Sequence, residues 1–251
     1  MRRFLAVGVL VLALPALVQA ASNPVVAASK RTAAAKTITF RIAATTTVAG
    51  SRATITGSGM QRGSEARLSL LVGGQGTRPV RMDAVLLEEA GSYVMYMRSP
   101  LFASQLPRGK SWIRLDLSRQ TASLGVDFSS LVSTSQTFAP LEKGMVSTTR
   151  KGRAVVAGRP TTQYRAIIDV RRAARLVPAY GKQVAAIQRA TGITLGRVPY
   201  DVWVAGDGRI RQVRYTTPTV QNGKTVQTMT FLAFNEPVKI EAPPRAQVVA
   251  P

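Results

Sequence analysis

Short segments in which apolar and polar residues alternate constrain the fold of this chain more than any other feature. The alternation is clearest where Ile38, Phe40 and Ile42 are separated by polar Thr39 and Arg41. Four further segments with a strand-like pattern follow before residue 98, joined by short turns that contain glycine. A period of two residues is typical of strands with one buried face. The sequence therefore predicts an antiparallel meander with one apolar face.

The segment 155–215 combines two strand hairpins with a helix. Pro178 stands at the head of the helical pattern, and Gly192 follows it as a helix-ending residue. Asp207 and Gly208 lie between two further strand patterns, and an Asp-Gly pair in that position favours a hairpin turn. This segment therefore predicts a strand pair, a helix and a second strand pair in that order.

The apolar spacing changes to three and four residues between Asp127 and Thr148, which predicts two short helices with Asp127 as a cap. The whole chain then has about ten or eleven antiparallel strands, with helices concentrated between residues 127 and 192. Helices that interrupt one continuous meander favour an α+β fold in which a curved sheet packs around them.

The chain divides into four predicted regions. Residues 1–20 have the pattern of a signal peptide, with Arg2 and Arg3 before an apolar stretch and small residues before a cleavage point after Ala20. Residues 21–36 lack an apolar period and are predicted to be a flexible arm. Residues 37–244 form the single folded domain, and residues 245–251 form a disordered tail.

The charge balance is strongly basic, with 34 Lys and Arg against 12 Asp and Glu and a net charge of +22. Such a surface attracts polyanions, and an export signal favours anionic lipids or cell-wall polymers over nucleic acid. Arg171, Arg172 and Arg175 form one basic cluster, and the hypothesis is that it docks the protein on an anionic membrane. The alternative is an ordinary solvated basic face.

The residue inventory argues against catalysis. The chain has no histidine and no cysteine, which rules out a Ser-His-Asp triad, thiolate chemistry and disulfide bonds. The acidic residues are scattered along the sequence, and no Ser-x-x-Lys pattern is present. We therefore expect a protein that is not an enzyme and that needs neither a metal nor a cofactor.

A family resemblance adds to this interpretation, and it covers roughly residues 90–244. The matching features are Gly158 followed by residues 161–164, the run 199–211, and the run 234–244. In this ordered series the chain resembles the LppX/LprG-type lipoproteins of actinobacteria, whose fold is like that of the lipoprotein carrier LolA. Those lipoproteins need a cysteine after the signal peptide to carry lipid. Because this chain has none, we expect a secreted, extracytoplasmic protein of the cell envelope that is not lipid-anchored.

The resemblance implies a half-barrel with helices on its concave side and an apolar cavity between them. It also implies a carrier that holds the acyl chains of a lipid or other amphiphile. The alternative is an envelope sensor, a regulatory module that binds a protein of the anti-sigma-factor type. The apolar residues proposed to line the cavity, each of which is also compatible with ordinary core, are Phe40, Ile42, Leu68, Leu70, Met95, Tyr164, Ile168, Val184 and Ile187.

Overall fold

The computed structural model describes residues 23–117 and 134–249. Within them, twelve strands form a single sheet. The bounds of the strands are β1 Thr37–Val48, β2 Ser51–Arg62, β3 Glu65–Gly74, β4 Val80–Glu89, β5 Ser92–Arg98, β6 Trp112–Asp116, β7 Met145–Val156, β8 Arg159–Asp169, β9 Arg197–Ala205, β10 Ile210–Pro218, β11 Lys224–Phe234 and β12 Val248–Val249. Their order across the sheet is β12-β6-β5-β4-β3-β2-β1-β11-β10-β9-β8-β7.

Neighbouring strands are antiparallel except for β12, which pairs in parallel with β6. The described helices are α1 Pro24–Ala33, α2 Thr134–Lys143, α3 Val170–Leu176 and α4 Pro178–Thr191, and two 3-10 segments cover Pro100–Gln105 and Arg245–Gln247. The predicted α+β fold, a curved antiparallel sheet with helices packed on its concave side, is confirmed, with twelve strands in place of ten or eleven.

Two local predictions in the second half of the chain are confirmed by backbone geometry. Gly192 ends α4 in the left-handed conformation, with φ 70°, and its N–H donates to the carbonyl of Gln188. Gly208 has φ 74° in the turn between β9 and β10, as the Asp-Gly pair predicted. Glycine adopts positive φ without the steric penalty that a Cβ brings, so both positions suit it.

The first hydrophobic core lies between the helices and one face of the sheet, which we call the inner face. Val25 of α1 and Phe138 of α2 are buried there against Ile168, Val202 and Phe231 of the strands. The rings of Phe138 and Phe231 lie 5.4 Å apart and are tilted by 48°. These contacts fix α1 and α2 over strands β8 to β11, in the half of the sheet that ends at β7.

A second core lies on the opposite face, which we call the outer face. Val85, Leu87 and Val94 are buried there together with Trp112 and with Ile240 of the C-terminal segment. The chain therefore returns over the outer face after β11 and covers the apolar side chains of β4 to β6. The apolar cluster on the outer face of β4 to β6 is thus covered by the protein itself.

The prediction that residues 21–36 form a flexible arm is wrong for residues 24–33, which form α1. The side chain of Asn23 accepts a hydrogen bond from the N–H of Val25 at 3.0 Å, and Pro24 occupies the first helical position. Both features start a helix. The buried stripe of α1 consists of Val25, Ala28, Ser29 and Thr32. The stripe has helical spacing, but its small residues gave no apolar period in the sequence.

The prediction that residues 245–251 form a disordered tail is wrong for residues 245–249. Val248 pairs with Trp112, and Val249 pairs with Ile113, so this segment extends the sheet beyond β6. The N–H of Ser111 also donates to the carbonyl of Gln247 at 2.9 Å. The exposed edge of β6 supplies the backbone partners that the isolated sequence does not reveal.

The two helices predicted between residues 127 and 148 are only partly correct. Among residues 134–148, which the structure describes, one helix, α2, runs through Pro140, and Met145 already belongs to β7 rather than to a second helix. Residues 127–133 and the predicted signal peptide at residues 1–20 lie outside the described residues.

Candidate ligand-binding site

The pairing of the strands places all seven predicted cavity residues of the sheet on the inner face. Directly paired residues point to the same side of a sheet, and so do residues two apart on one strand. Phe40 pairs with Phe231 on one side and with Gly59 on the other, and Gly59 pairs with Leu68. Ile42 continues this arrangement two residues further along β1. The apolar face is therefore continuous across the central strands.

The next row of pairs extends the same face to both sides of β1. Ile42 pairs with Met229 and with Gly57, and Gly57 pairs with Leu70. In the other direction, Met229 pairs with Val213, Val213 with Val202, and Val202 with Tyr164. Met95 also lies on the inner face, because it pairs with Leu86, and Leu86 pairs with Ala66, which is two residues from Leu68 on β3.

Burial separates the predicted residues into two groups. Phe40 and Ile168 are buried in the first core, so the protein itself already covers them. The other residues remain partly exposed on the inner face or on α4, namely Ile42, Leu68, Leu70, Met95, Tyr164 and Val184. Ile187 lies in α4, and its side chain is outside the described residues. The residues of the second group are therefore the predicted cavity residues that remain accessible to a ligand.

Two glycines of β2 let large side chains lie close against the sheet. A Cβ added at Gly59 would lie 2.6 Å from the ring of Phe40 and 2.7 Å from Leu68. A Cβ added at Gly57 would lie 2.8 Å from a methyl group of Leu70. The absence of side chains on the middle strand therefore deepens the inner face between β1 and β3.

Three tyrosines, which the sequence analysis did not select, gather on the inner face beside α4. The rings of Tyr200 and Tyr215 stack with their centroids 4.5 Å apart. The hydroxyl of Tyr215 donates to Oε1 of Gln227 at 2.7 Å. Tyr180 of α4 lies close enough to act electrostatically on both of the other phenols. Tyr180 and Val184 are four residues apart, so they share one face of α4.

Burial perturbs the phenol groups of Tyr200 and Tyr215. Burial, and then the neighbouring phenol of Tyr180, raise the pKa of Tyr215 to about 12. Burial also raises the pKa of Tyr200 well above its usual value, with smaller effects from Tyr215 and Tyr180. Burial disfavours the charged form of a phenol, so both groups are neutral at neutral pH, while both side chains remain partly exposed on the inner face.

One of the predicted residues lines a defined cavity. A space of about 310 Å³ opens where β8 and β9 lie side by side, and its lining includes Thr162, Tyr164, Val204 and Arg153. Thr162 pairs with Val204, and Tyr164 pairs with Val202, so this cavity adjoins the inner face. The apolar inner face thus reaches a small polar opening at this end of β8.

The predicted docking residues Arg171, Arg172 and Arg175 all lie on α3 and are exposed. Asp169 caps this helix, because its carboxylate accepts from the N–H of Arg172 at 2.9 Å. That bond, with the nearby guanidinium of Arg197, lowers the pKa of Asp169. Leu176 at the end of α3 is an apolar side chain with 54% of its surface exposed.

Among residues 23–117 and 134–249, no three carboxylates gather as ligands of a metal ion. No helix in the described part of the chain is both long and apolar enough to cross a lipid bilayer.

Comparison with solved structures establishes the fold. LprF from Mycobacterium bovis is 15% identical, with 88% of this chain and 95% of that chain covered and a TM-score of 0.53. The Mycobacterium tuberculosis lipoprotein LppX is 16% identical over 88% of this chain and all of its own, with a TM-score of 0.49. The MucA/MucB complex of Pseudomonas aeruginosa gives 14% identity, 88% and 62% coverage and a TM-score of 0.35.

No protein-family model and no curated protein matches the chain. At 15% identity, the likeness to LprF establishes a shared fold and nothing finer. The resemblance to LppX/LprG-type lipoproteins that the sequence predicted is confirmed at that level.

Proposed function

We propose that the protein binds a lipid or another amphiphile outside the cytoplasm and carries it without catalysis. The observation that supports this most is the continuous apolar inner face, on which Ile42, Leu68, Leu70 and Met95 remain partly exposed. An acyl chain laid against these side chains would be removed from water, at about 0.8 kcal/mol for each buried methylene. A soluble protein keeps such a surface accessible when it serves binding.

The tyrosine cluster gives the proposed site a polar end. Tyr215 and Gln227 lie in one row of paired residues with Ala44 of β1, next to the apolar row that contains Ile42. Phenol and amide groups there can donate hydrogen bonds to the ester or headgroup oxygens of an amphiphile. The acyl chains would then extend from this end along the apolar rows toward β5.

The same end of the sheet carries a basic surface suited to an anionic membrane. The turns of the β1–β2, β3–β4 and β10–β11 hairpins lie there, as does the start of α3. The exposed cations at this end include those of α3 and also Arg52, Arg78, Arg197 and Lys224. The three turns and α3 contain no acidic residue. Membrane contact at this end would place a lipid next to the tyrosine cluster.

Membrane docking is tested by reversing the charges of α3. The triple variant Arg171→Glu, Arg172→Glu and Arg175→Glu should bind phosphatidylglycerol vesicles about a hundredfold more weakly, since each surface cation contributes about 1 kcal/mol. The matched control reverses three exposed arginines on the outer face, Arg41, Arg67 and Arg214. Vesicle co-sedimentation at low salt measures both. Equal losses in the two variants would show that α3 is no specific docking surface.

Ligand binding is tested by filling the proposed site. Ala44 lies on the inner face beside Gln227, whereas its neighbour Ala43 is exposed on the outer face. Ala44→Trp should therefore block the site, while Ala43→Trp makes the same chemical change on the other side of the strand. Each protein is exported from an actinobacterial host, purified and examined by native mass spectrometry.

We expect a bound amphiphile in the native protein and in Ala43→Trp, and little or none in Ala44→Trp. The proposal is wrong if the native protein emerges empty and also takes up no lipid from vesicles. In that case a regulatory module that binds an envelope protein becomes the better account of the fold. It is equally wrong if both tryptophan variants retain the amphiphile at the native level.

A further inference from the structure

A separate cavity lies on the outer face of the sheet, between β4, β5 and residues 99–111. Its volume is about 470 Å³, and its described lining includes the charged residues Arg81, Asp83, Arg98 and Lys110. Asp83 and Arg98 pair directly, whereas the next pair, Ala84 and Met97, faces inward. The cavity is therefore on the opposite side of the sheet from the proposed amphiphile site.

Asp83 is the one carboxylate among the described residues that line this cavity, and it is already fully engaged. Asp83 accepts from Arg98 at 2.7 Å, from Ser69 at 2.8 Å and from Arg81 at 3.1 Å. Burial would raise the pKa of Asp83, but the hydrogen bonds from Arg98, Ser69 and Arg81 outweigh it and lower the pKa. The carboxylate is thus ionised at neutral pH and holds two guanidinium groups side by side.

Among the described lining residues, three cations and one carboxylate leave an excess of two positive charges. Arg81 uses only its Nε toward Asp83, and within the described residues its two terminal nitrogens have no hydrogen-bond partner. In the same part of the chain, the ammonium group of Lys110 forms no ion pair. Arg98 is held in place from the other side, with its guanidinium 4.8 Å from the ring centre of Trp112. The described part of the cavity therefore presents cationic donors that Asp83 does not fully use.

Part of the cavity wall beside these charges is apolar. Pro100, Ala103 and Leu106 line it, and neighbouring Leu101 has 61% of its surface exposed. A dianionic phosphate monoester matches the two excess charges, and guanidinium groups bind phosphate oxygens in pairs. An apolar wall beside such donors suits a phosphate that carries an organic substituent.

From this arrangement we propose that the outer cavity binds a phosphate monoester, with Arg81, Arg98 and Lys110 as its cationic ligands. Either a soluble organic phosphate or a phosphorylated lipid headgroup has this chemistry. The proposal concerns a different face from the amphiphile site, and the two can be tested separately.

The experiment is an NMR titration of the purified protein, following the backbone amides of Ser99, Lys110 and Ser111. Three probes are used: inorganic phosphate, glycerol 3-phosphate, and dihexanoyl phosphatidic acid below its micelle concentration. Saturable shifts should centre on these amides and weaken as salt is added. The variants are Arg81→Ala and Lys110→Ala, and circular dichroism checks that both remain folded.

Matched controls come from the same segments of the chain. Arg108 is an exposed cation two residues from Lys110, and Arg78 precedes Arg81 by three residues, yet neither lines the cavity. Arg81→Ala and Lys110→Ala should each weaken glycerol 3-phosphate binding about tenfold, the typical effect of losing one charged hydrogen-bond donor. Arg108→Ala and Arg78→Ala should change it by less than about twofold.

The probes also separate the two sources of phosphate. Tighter binding of the short-chain phosphatidic acid, with shifts that extend to Ala103 and Leu106, assigns the cavity to a lipid headgroup. Equal affinity for glycerol 3-phosphate assigns it to a soluble phosphate. The proposal is overturned if no probe saturates, or if the control variants lose as much affinity as the cavity variants. Ala44→Trp should leave this titration unchanged.

Discussion

Raising the pH from 8 to 11 should destabilise the protein through Tyr215. The phenol of Tyr215 is stacked on Tyr200 and donates to Gln227 at 2.7 Å, and burial raises its pKa to about 12. The ordinary pKa of tyrosine in an unfolded chain is about 10. The folded state therefore holds this proton at a pH where the unfolded state has released it.

Because the pKa of Tyr215 is higher in the folded state than in the unfolded state, a rise in pH lowers the free energy of unfolding. A raised pKa stabilises the fold below pH 10, and the contribution is lost as the pH rises through 12. At pH 11 about ten elevenths of the phenol is ionised in the unfolded chain, against about one eleventh in the folded protein. The loss of unfolding free energy between pH 8 and 11 is then about 1.4 kcal/mol. This is an upper value, because water reaches part of the ring.

The assay compares urea unfolding of the native protein and of Tyr215→Phe at pH 8 and pH 11. Phenylalanine keeps the stacked ring but removes the titrating group, and lysine titration is common to both proteins. The native protein should lose about 1.4 kcal/mol more than the variant over this interval. Equal losses would refute the assignment of a desolvated, neutral phenol to this position.

Three further changes test the packing of the fold, each by urea unfolding at neutral pH. Phe138→Ala should lower the free energy of unfolding by about 3–5 kcal/mol, because the side chain is 1% exposed and packs against Phe231. A decrease below about 1 kcal/mol would contradict that burial. Asn23→Ala should lower the free energy of unfolding by about 1 kcal/mol and reduce the helical signal in circular dichroism, because it removes the N-cap of α1. Ending the chain after Pro244 should lose about 1–2 kcal/mol, because it removes the packing of Val248 on the outer core. No change on truncation would support a disordered tail after all.

Alternation along the strands was sufficient to predict which residues face inward. Residues two apart on a strand point to the same face of the sheet, so Phe40 shares a face with Ile42, and Leu68 shares a face with Leu70. Because these are the apolar positions of their strands, both pairs could be assigned to the buried face before the pairing of the strands was known. Strand order and register added that this face continues through β11 to Tyr164. Long-range pairing such as β1 with β11 has no local trace in the sequence.

Elements with weak apolar contrast could not be predicted in the same way. The buried stripe of α1 is made of small and hydroxylated residues, so its helical period does not stand out from the Ala-rich composition. The strand β7 lies at an edge of the sheet and is exposed at most positions, so Thr148 to Arg153 show no apolar alternation. In both cases tertiary contacts, not local pattern, define the element.

One buried strand had a signal in the sequence that the sequence analysis did not use. The run Val85-Leu86-Leu87 is apolar at every position, which is typical of a strand buried on both faces, and both faces of β4 are indeed covered or apolar. The Asp207–Gly208 turn, by contrast, does not predict the tyrosine pair. A register shift between Ile210 and Gln212 moves the pairing of β9 with β10 by one residue, and only after that shift does Tyr200 pair with Tyr215.

The two faces of the sheet differ in a way that bears on the stability of the empty protein. The C-terminal segment covers the outer core, whereas the partly exposed residues of the inner face have no equivalent cover among the described residues. A ligand that binds only the folded state raises the free energy of unfolding by about 2.7 kcal/mol when its concentration is about a hundredfold above its Kd. For a chain of this size, that increase raises the Tm by about 5–10 °C. Protein that has been stripped of lipid in guanidinium and refolded should therefore melt below the exported protein, and phosphatidylglycerol vesicles should raise its Tm. Ala44→Trp should show no such gain, and Ala43→Trp should show the native gain. If the stripped and exported proteins melt together, the inner face is stable without a ligand, and the exposed side chains on it serve packing alone.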